Sequence, residues 1–277
     1  MKVRDTLELR FKCDRLGQTA IDSQYTTYPL RLSNVFRLDP AESACAYLYL
    51  INTSPGLLAR DCLTLSLKLA ENTRVYFTDQ AATKIHAMPQ AQTQATTKFK
   101  ITVGARASLE LIPEPIILFA DAALEQSTQI TLDPDAALVY SEIVLPGRLT
   151  RGEYYDFRHY RSRLEIYEAT GLCLCDATYL EGKGNAWQQS ELFAARPVLG
   201  NLYLVQPLLE LEQLQSKLEA ISNDGAITVG SSVLPDARGL LIRVMADKAS
   251  LVKQYFQQII NCVRSMSDRP HLPYIPK

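Results

Sequence analysis

Histidine is the scarcest metal-binding side chain in this protein of 277 residues, which has only His86, His159 and His271. No two of them form a His-x-x-x-His pair, so the sequence predicts no dedicated zinc or multi-histidine site. An excess of charge is also lacking, because 29 basic side chains face 30 acidic ones at a net charge of -1. A chain without a positive field holds phosphate backbones poorly, and we expect no nucleic-acid partner.

Long apolar runs are absent as well. Residues 1–11 read MKVRDTLELRF, and charges interrupt any apolar core of the length that a signal peptide needs. The most apolar windows, 44–51 and 111–123, are shorter than the roughly eighteen residues of a membrane span. We therefore expect a soluble, cytoplasmic protein with no membrane partner.

Familiar catalytic signatures are missing too. The one Gly-Lys pair, Gly182-Lys183, has no glycine five positions before it and is followed by Gly184, so there is no P-loop. The chain also lacks a Gly-x-Ser-x-Gly elbow, a Gly-x-Gly-x-x-Gly turn and a His-Glu-x-x-His helix. We predict no catalytic residues, no enzyme activity and no tightly bound cofactor.

Period-two alternation dominates the first two thirds of the chain. Apolar and polar residues alternate over 6–13, 63–69 and 99–103, which is typical of half-buried strands. Further strands are predicted at 46–51, 74–78, 108–112, 128–132, 137–145, 154–160, 163–168 and 172–180. Many short strands without helical segments between them predict a mainly β fold, as a sandwich, a barrel or a coil of strands. No internal repeat is evident.

The pattern changes after residue 200. Apolar residues recur at helical spacing over 208–221 and again over 251–266, where Asp247 is the expected N-cap, so two helices are predicted in the C-terminal third. Short strands are predicted between them at 226–230 and 239–246. Three prolines predict that 270–277 is an extended tail, whose Tyr274 fills a pocket of the body or of a partner. We expect one domain, 1–277, with a β-rich body (1–200), an α+β part (201–269) and the tail (270–277).

Acids interrupt two of the apolar strands. Glu142 lies in ALVYSEIVL and Asp176 in LCLCDA. A buried carboxylate is costly unless it is paired, hydrated or bound to a cation. Such acids either accept local hydrogen bonds or line a wet internal path, and the sequence leaves both readings open. Cys173 and Cys175 share one strand face, but two thiols are only half of a metal site, and small packing residues are the simpler interpretation.

Four motifs resemble those of one family, the urease accessory proteins UreD, also called UreH. Residues 52–61 read NTSPGLLARD, like a Gly-rich loop that ends in Gly-Asp, and 78–85 read TDQAATKI, like Thr-x-Gln-Ala-Ala-Thr-Lys-Ile/Val. Residues 109–119 read LELIPEPIILF and 147–157 read GRLTRGEYYDF, which resemble two further signatures of that family. The motifs occur in family order, and the resemblance covers essentially the whole chain. Arg60 departs from it, since it stands where the family usually has glycine, so a positive φ there would strain the loop.

The resemblance implies a non-catalytic factor that installs the nickel of urease in a hetero-oligomer with UreF, a helical protein, UreG, a nickel-carrying GTPase, and apo-urease. It also implies a β-helix-like body with an internal passage for nickel in transit, and no stable metal site. Members of that family carry carboxylates at the positions that match Asp61, Glu142 and Asp176, so the resemblance implies that these three residues line the passage. Structural or interface roles are expected for four further residues: Lys84, Arg148, Glu153 and Tyr274.

Two alternatives stay open beside this hypothesis. The first is a β-solenoid carbohydrate-active enzyme that uses clustered acids such as Glu142, Asp176 and Glu153, which would need two carboxylates about 5 to 9.5 Å apart in an open groove. The second is a plain structural interaction module.

Overall fold

The computed structural model describes residues 5–39, 44–207, 210–221 and 225–275. The strands are β1 (Leu7–Cys13), β2 (Thr19–Thr26), β3 (Leu30–Leu32), β4 (Cys45–Asn52), β5 (Cys62–Leu69), β6 (Arg74–Asp79), β7 (Thr83–Ile85), β8 (Ala95–Val103), β9 (Ser108–Leu111), β10 (Ile116–Leu118), β11 (Ala123–Leu132), β12 (Ala137–Leu145), β13 (His159–Glu168), β14 (Gly171–Glu181), β15 (Val198–Val205), β16 (Ile227–Val233) and β17 (Gly239–Ala246). The helices are α1 (Glu191–Ala195), α2 (Leu211–Ala220) and α3 (Ala249–Met266). The mainly β prediction, with two long C-terminal helices, is confirmed.

Two sheets form the body. A seven-stranded sheet has the order β14-β13-β11-β8-β5-β1-β2. A ten-stranded sheet follows the path β16-β17-β15-β12-β9-β6-β4-β3, and β10 joins β12 to β7 at its side. Apolar side chains from the facing surfaces of the two sheets form the largest core cluster.

The chain winds between these sheets as a β-helix. From β4 to β13 the longer strands alternate between the ten-stranded and the seven-stranded sheet, so that successive strands within each sheet run parallel. In the ten-stranded sheet Cys45 lies beside Arg74, Arg74 beside Ser108, and Ser108 beside Ala137. Parallel neighbours need a long crossover, and here the strand in the opposite sheet provides it without any helix.

Three stacked turns reveal a repeat that the sequence does not show. Each turn leads from the seven-stranded to the ten-stranded sheet and closes with one backbone hydrogen bond: Thr73 N to Ala70 O, Ala107 N to Gly104 O, and Ala136 N to Asp133 O. The last residue of each turn is small and at most 1% exposed. The coils share a backbone shape and one small buried position, but they share no residue pattern. The sequence therefore has no evident repeat, as expected, whereas the backbone does repeat.

The C-terminal third continues the ten-stranded sheet. β15 pairs antiparallel with β12 and with β17, so the predicted boundary at residue 200 falls inside a strand. The apolar side of α3 packs on this part of the sheet. Gly200 permits the approach, because a Cβ there would lie 2.9 Å from Cζ of Phe256. The glycine lets helix and sheet pack closely.

Several boundaries differ from the sequence-based prediction. The strand predicted at 154–160 is mostly an irregular segment, and β13 begins at His159. Helix α3 begins at Ala249 behind Lys248, so Asp247 is not its N-cap, and no side chain caps it. Part of the helix predicted at 208–221 lies outside the described residues, and α2 begins at Leu211. Four short elements escaped prediction because they have too few residues to show a period: β3, β7, β10 and α1. Two strands of eight residues were also missed, since β2 is largely polar and β15 is largely buried on both faces, so neither shows a clear alternation.

A buried ion network fastens α3 to the β-helix. Arg264 is 1% exposed, and its guanidinium donates to both carboxylate oxygens of Glu110 on β9, with Nη2 to Oε2 at 2.6 Å. The same group donates to the hydroxyl of Tyr47 on β4 at 3.1 Å and lies 3.6 Å from the carboxylate of Asp39. Arg269 adds a second cation at 3.0 Å from Glu110. This polar cluster inside apolar packing sets where the helix sits along the sheet.

Candidate functional site

A cavity of about 250 Å³ lies between the two sheets, at the edge where loops of successive coils are stacked. Its outer end is lined by three loops that connect successive strands, within residues 52–57, 79–84 and 113–116. Two of these loops carry the NTSPG and TDQAATK motifs. Apolar side chains of the facing strands form most of the inner wall, including Leu65, Phe99 and Leu124. Gln126 and Glu142 supply the polar part of that wall.

Glu142 is the charged group of this wall. It is 6% exposed, and its Oε2 accepts hydrogen bonds from Nε2 of Gln126, from Oγ of Ser162 at 3.2 Å and from the hydroxyl of Tyr140 at 3.5 Å. All three donors are neutral. Burial is the main cause that raises the pKa of Glu142 above its usual value, and hydrogen bonds from hydroxyl groups, including those of Ser162 and Tyr140, offset it only in part.

The other buried carboxylates differ from Glu142 in having a basic partner. Asp39 and Glu110 face Arg264, and Glu153 faces Arg148. In the described ranges, Glu142 is the only carboxylate classed as buried without a Lys or Arg partner. A carboxylate that is desolvated and has no cationic side chain beside it can bind a cation that comes from outside the protein.

Asp176 continues the polar chain from Glu142 towards the surface. Its Oδ2 accepts a hydrogen bond of 2.7 Å from the hydroxyl of Tyr203, whose ring stacks on that of Tyr140 at 5.6 Å between centroids. Burial, followed by the charges of Glu142 and Asp176, raises the pKa of Tyr203. Both oxygens of Asp176 also accept from Nη2 of Arg243, at 2.9 and 2.8 Å. The structure therefore joins two of the three predicted passage residues through a pair of stacked tyrosines.

Asp61, the third predicted passage residue, lies elsewhere. Its Oδ2 accepts a hydrogen bond of 2.8 Å from the amide of Leu58, in a tight turn that the amide of Asp61 closes onto the Leu58 carbonyl. Asp61 is not among the residues that line the cavity. Arg60 has φ 71°, the left-handed conformation that glycine adopts without strain. The backbone therefore has a positive φ at the position where the family usually has glycine, although an arginine stands there.

Arg148 and Glu153 hold each other across a turn. The guanidinium of Arg148 donates to both oxygens of Glu153, which also accept from the backbone amides of Arg148 and Ala120. Burial alone would raise the pKa of Glu153, but these hydrogen bonds bring it below its usual value. Gly147 has φ 154° and no room for a Cβ beside the carbonyl of Glu153. These contacts order the loop that follows β12.

Lys84 and Tyr274 are both exposed. Lys84 on β7 lines the internal cavity and also a surface cleft, and its ammonium has no hydrogen-bond or carboxylate partner among the described residues. Tyr274 is 85% exposed, whereas its neighbours Leu272 and Ile275 pack on core clusters. The amide of Leu272 donates to Oδ1 of Asn261 at 2.8 Å. The described part of the tail thus folds onto its own body and leaves Tyr274 outside.

The structure offers little to a conventional metal or glycosidase site. No three His, Cys, Asp or Glu side chains within the described ranges come close enough to hold a metal ion. Cys173 is partly exposed and Cys175 exposed, so these thiols are not the buried packing residues that we expected. Glu142 lines the inner wall of the cavity, whereas Asp176 and Glu153 each form an ion pair with an arginine. The carbohydrate-enzyme alternative therefore gains no support from this geometry.

Sequence reasoning missed the neutral partners of Glu142. Gln126 lies on the face of β11 that carries Leu124 and Ile130, and it is 6% exposed. Ser162 lies in the same way on β13 and is 8% exposed. A polar side chain at an inward position of an alternating strand is a visible signal. It would have pointed to a polar spot opposite Glu142.

Among the described residues, no helix has the length and apolar character needed to cross a membrane.

The chain matches the family "UreD urease accessory protein" over residues 3–277. It is 55% identical over 276 residues to the urease accessory protein UreD of Trichodesmium erythraeum, with 99% of each chain covered. A UreD of Actinobacillus pleuropneumoniae serotype 5b is 29% identical, with 96% of this chain and 99% of the relative covered. The urease accessory protein UreH of Helicobacter hepaticus is 27% identical over 91% of this chain and 95% of its own length.

Proposed function

Because the chain belongs to the UreD family of urease accessory proteins and so has a role in urease maturation, we propose that it is a non-catalytic scaffold that guides nickel ions towards apo-urease. In this proposal nickel is cargo, and the protein keeps no resident metal. The cavity, Glu142, the tyrosine pair and Asp176 form the internal part of the route.

The observation that carries the proposal is the setting of Glu142. This carboxylate is buried in a cavity wall and receives hydrogen bonds from neutral groups alone. Even partial dehydration of a divalent cation is expensive, and an uncompensated carboxylate lowers that cost. Oxygen ligands hold nickel less tightly than imidazole or thiolate do, so a passing ion can leave again.

Asp176 forms the second step, where an arginine already occupies both oxygens. The guanidinium of Arg243 is about half exposed, so it can move away when a metal ion approaches Asp176. When no metal ion is passing, Arg243 neutralises Asp176, so the carboxylate is not left as an unpaired charge near the surface. Asp61 remains a candidate for an outer position of the route, because it follows the loop that lines the cavity.

The partners in this proposal follow from the family resemblance. They are UreF, a helical protein, UreG, the GTPase that carries nickel, and apo-urease, in a cytoplasmic hetero-oligomer. The chain has no P-loop, so nucleotide hydrolysis must come from a partner.

Neutralising the two carboxylates of the route tests the proposal. We expect Glu142→Ala with Asp176→Ala to leave the fold and the partner complex intact but to slow nickel-dependent activation of apo-urease by at least about tenfold, equivalent to about 1.4 kcal/mol of barrier. Leucine at both positions should slow it further by filling the route. Single changes should have little effect, because a route with several oxygens tolerates the loss of one.

The assay is the initial rate of urease activation by reconstituted complexes of matched composition. Glu212→Ala with Glu219→Ala is the control, since it removes two exposed carboxylates from α2. Normal activation by the double leucine variant would mean that nickel does not pass these residues. Glu142 and Asp176 would then be strand acids satisfied by their local hydrogen bonds.

A further inference from the structure

A second concave surface lies beside the internal cavity, and we call it the basic cleft. It has a volume of about 630 Å³ and is lined by residues of β7, β10 and the loop after β12. Its floor is apolar and half-buried, with Ile117, Phe119 and Leu145. The ring of Phe119 is held between the imidazole of His86, with centroids 5.1 Å apart, and the guanidinium of Arg148, 4.5 Å from its centroid. A fixed aromatic next to arginine is a common centre of binding energy in protein interfaces.

The rim of the basic cleft is positively charged. None of its lining residues is acidic. The carboxylate of Glu153 satisfies Arg148, and His86 donates from Nε2 to the carbonyl of Pro55 at 3.1 Å. Lys84 and Arg151 are exposed, and within the described ranges neither side chain has a hydrogen-bond or carboxylate partner. Two cations therefore stand free at the edge of an apolar floor.

The basic cleft adjoins the mouth of the internal cavity. Pro55 and Lys84 line both spaces. A molecule seated in the basic cleft would therefore lie at the mouth of the cavity whose inner wall holds Glu142.

We propose that the basic cleft is a docking site for a protein partner, which inserts an apolar side chain flanked by carboxylates. The apolar side chain contacts Phe119 and Ile117, and the carboxylates pair with Lys84 and Arg151. The inference rests on the proposed function in one respect: the partner would be a component of urease maturation. Charge complementarity selects an acidic segment, since the rim carries only cations.

A protein segment fits the basic cleft better than a small molecule does. Small-molecule sites usually have several polar groups that converge to orient the ligand. Here the inner polar groups, Arg148 and His86, already have partners, and the free cations stand only at the rim. An apolar centre with a charged rim is the usual anatomy of a protein interface.

Charge reversal at the rim tests this inference by binding alone, without nickel. We expect Lys84→Glu with Arg151→Glu to weaken binding to purified apo-urease or to one purified accessory partner by about tenfold. The loss should come mainly from slower association, and it should shrink at high salt. Ile117→Ser should weaken the same complex through faster dissociation. Lys98→Glu with Arg15→Glu is the matched control, because it reverses one exposed lysine and one exposed arginine elsewhere.

The measurements are association and dissociation rates at two salt concentrations, with thermal unfolding to confirm that each variant folds. Wild-type affinity of both cleft variants for apo-urease and for every accessory partner would overturn the inference. Tight binding of decanoate that disappears in the double variant, with protein binding unchanged, would also overturn it and make the cleft a small-molecule site. These outcomes do not depend on the nickel route, so the proposed function can fail while the docking site stands.

Discussion

The buried network around Arg264 allows a quantitative prediction about how the C-terminal helix is held. Arg264→Leu keeps an apolar side chain in the helix but removes the guanidinium that contacts Glu110, Tyr47 and Asp39. Glu110 keeps Arg269 at 3.0 Å, while the carboxylate of Asp39 keeps only the 2.6 Å hydrogen bond from Tyr47. Removing one member of a buried ion pair costs about 3–5 kcal/mol, because it leaves a desolvated charge without a partner. For a chain of this size that loss lowers Tm by on the order of 10 °C.

Urea unfolding followed by circular dichroism measures this effect, with Arg238→Leu as the control. Arg238 also pairs with a glutamate, Glu168 at 2.8 Å, but its side chain is 22% exposed. Fully exposed pairs contribute about 0–1 kcal/mol, and the Arg238–Glu168 pair is closer to solvent than the network of Arg264, so the control should lose less stability. The double change Arg264→Leu with Asp39→Leu should recover part of the loss, since apolar packing replaces the carboxylate that Arg264→Leu leaves without a cation.

The reasoning is refuted if Arg264→Leu and Arg238→Leu lose the same free energy of unfolding. It is equally refuted if the double variant is less stable than Arg264→Leu by the full cost of a second lost side chain. Either result would mean that the network does not hold α3 on the sheet.

Three further predictions concern the cavity, the helix contact and the tail. Burial raises the pKa of Glu142, so the stability that this group contributes is complete below its unfolded pKa, near 4.3, and is lost as the pH rises through the folded pKa. Glu142→Gln should therefore match wild type in its urea midpoint at about pH 4 and exceed it at about pH 8, and equal midpoints at both pH values would contradict this. Gly200→Ala should lower the free energy of unfolding by about 1–3 kcal/mol, because its Cβ meets Phe256, and an unchanged urea midpoint would show that the helix shifts freely. Leu272→Ala should lower Tm, whereas Tyr274→Ala should change stability by less than about 0.5 kcal/mol and weaken partner binding in a pull-down. Equal Tm losses in the two variants would place Tyr274 in the fold rather than in an interface.

Local patterns in the sequence determined the type of most elements. Alternation over 63–69 matches β5, because one face of this strand is buried. The nearly continuous apolar run over 137–145 matches β12, which is buried on both faces. The apolar stripe over 251–266 likewise defines α3. The apolar runs over 137–145 and 172–177 marked Glu142 and Asp176 as acids in apolar strands. These features depend only on residues a few positions apart.

Tertiary structure alone decided which strands pair, in which direction and with what partners. Parallel neighbours such as Cys45 and Arg74 belong to successive coils, and no local pattern encodes that register. Arg264 is, in the sequence, a cation near a helix C-terminus, where exposure is common. Only the tertiary structure brings its side chain to Glu110 on β9 and Tyr47 on β4, where it is buried. Glu142 is ambiguous for the same reason: whether a buried acid is neutralised depends on side chains far along the chain. The fold places Gln126 and Ser162 beside Glu142 and no arginine. Glu142 therefore differs from the other buried carboxylates of the described residues in having only neutral partners.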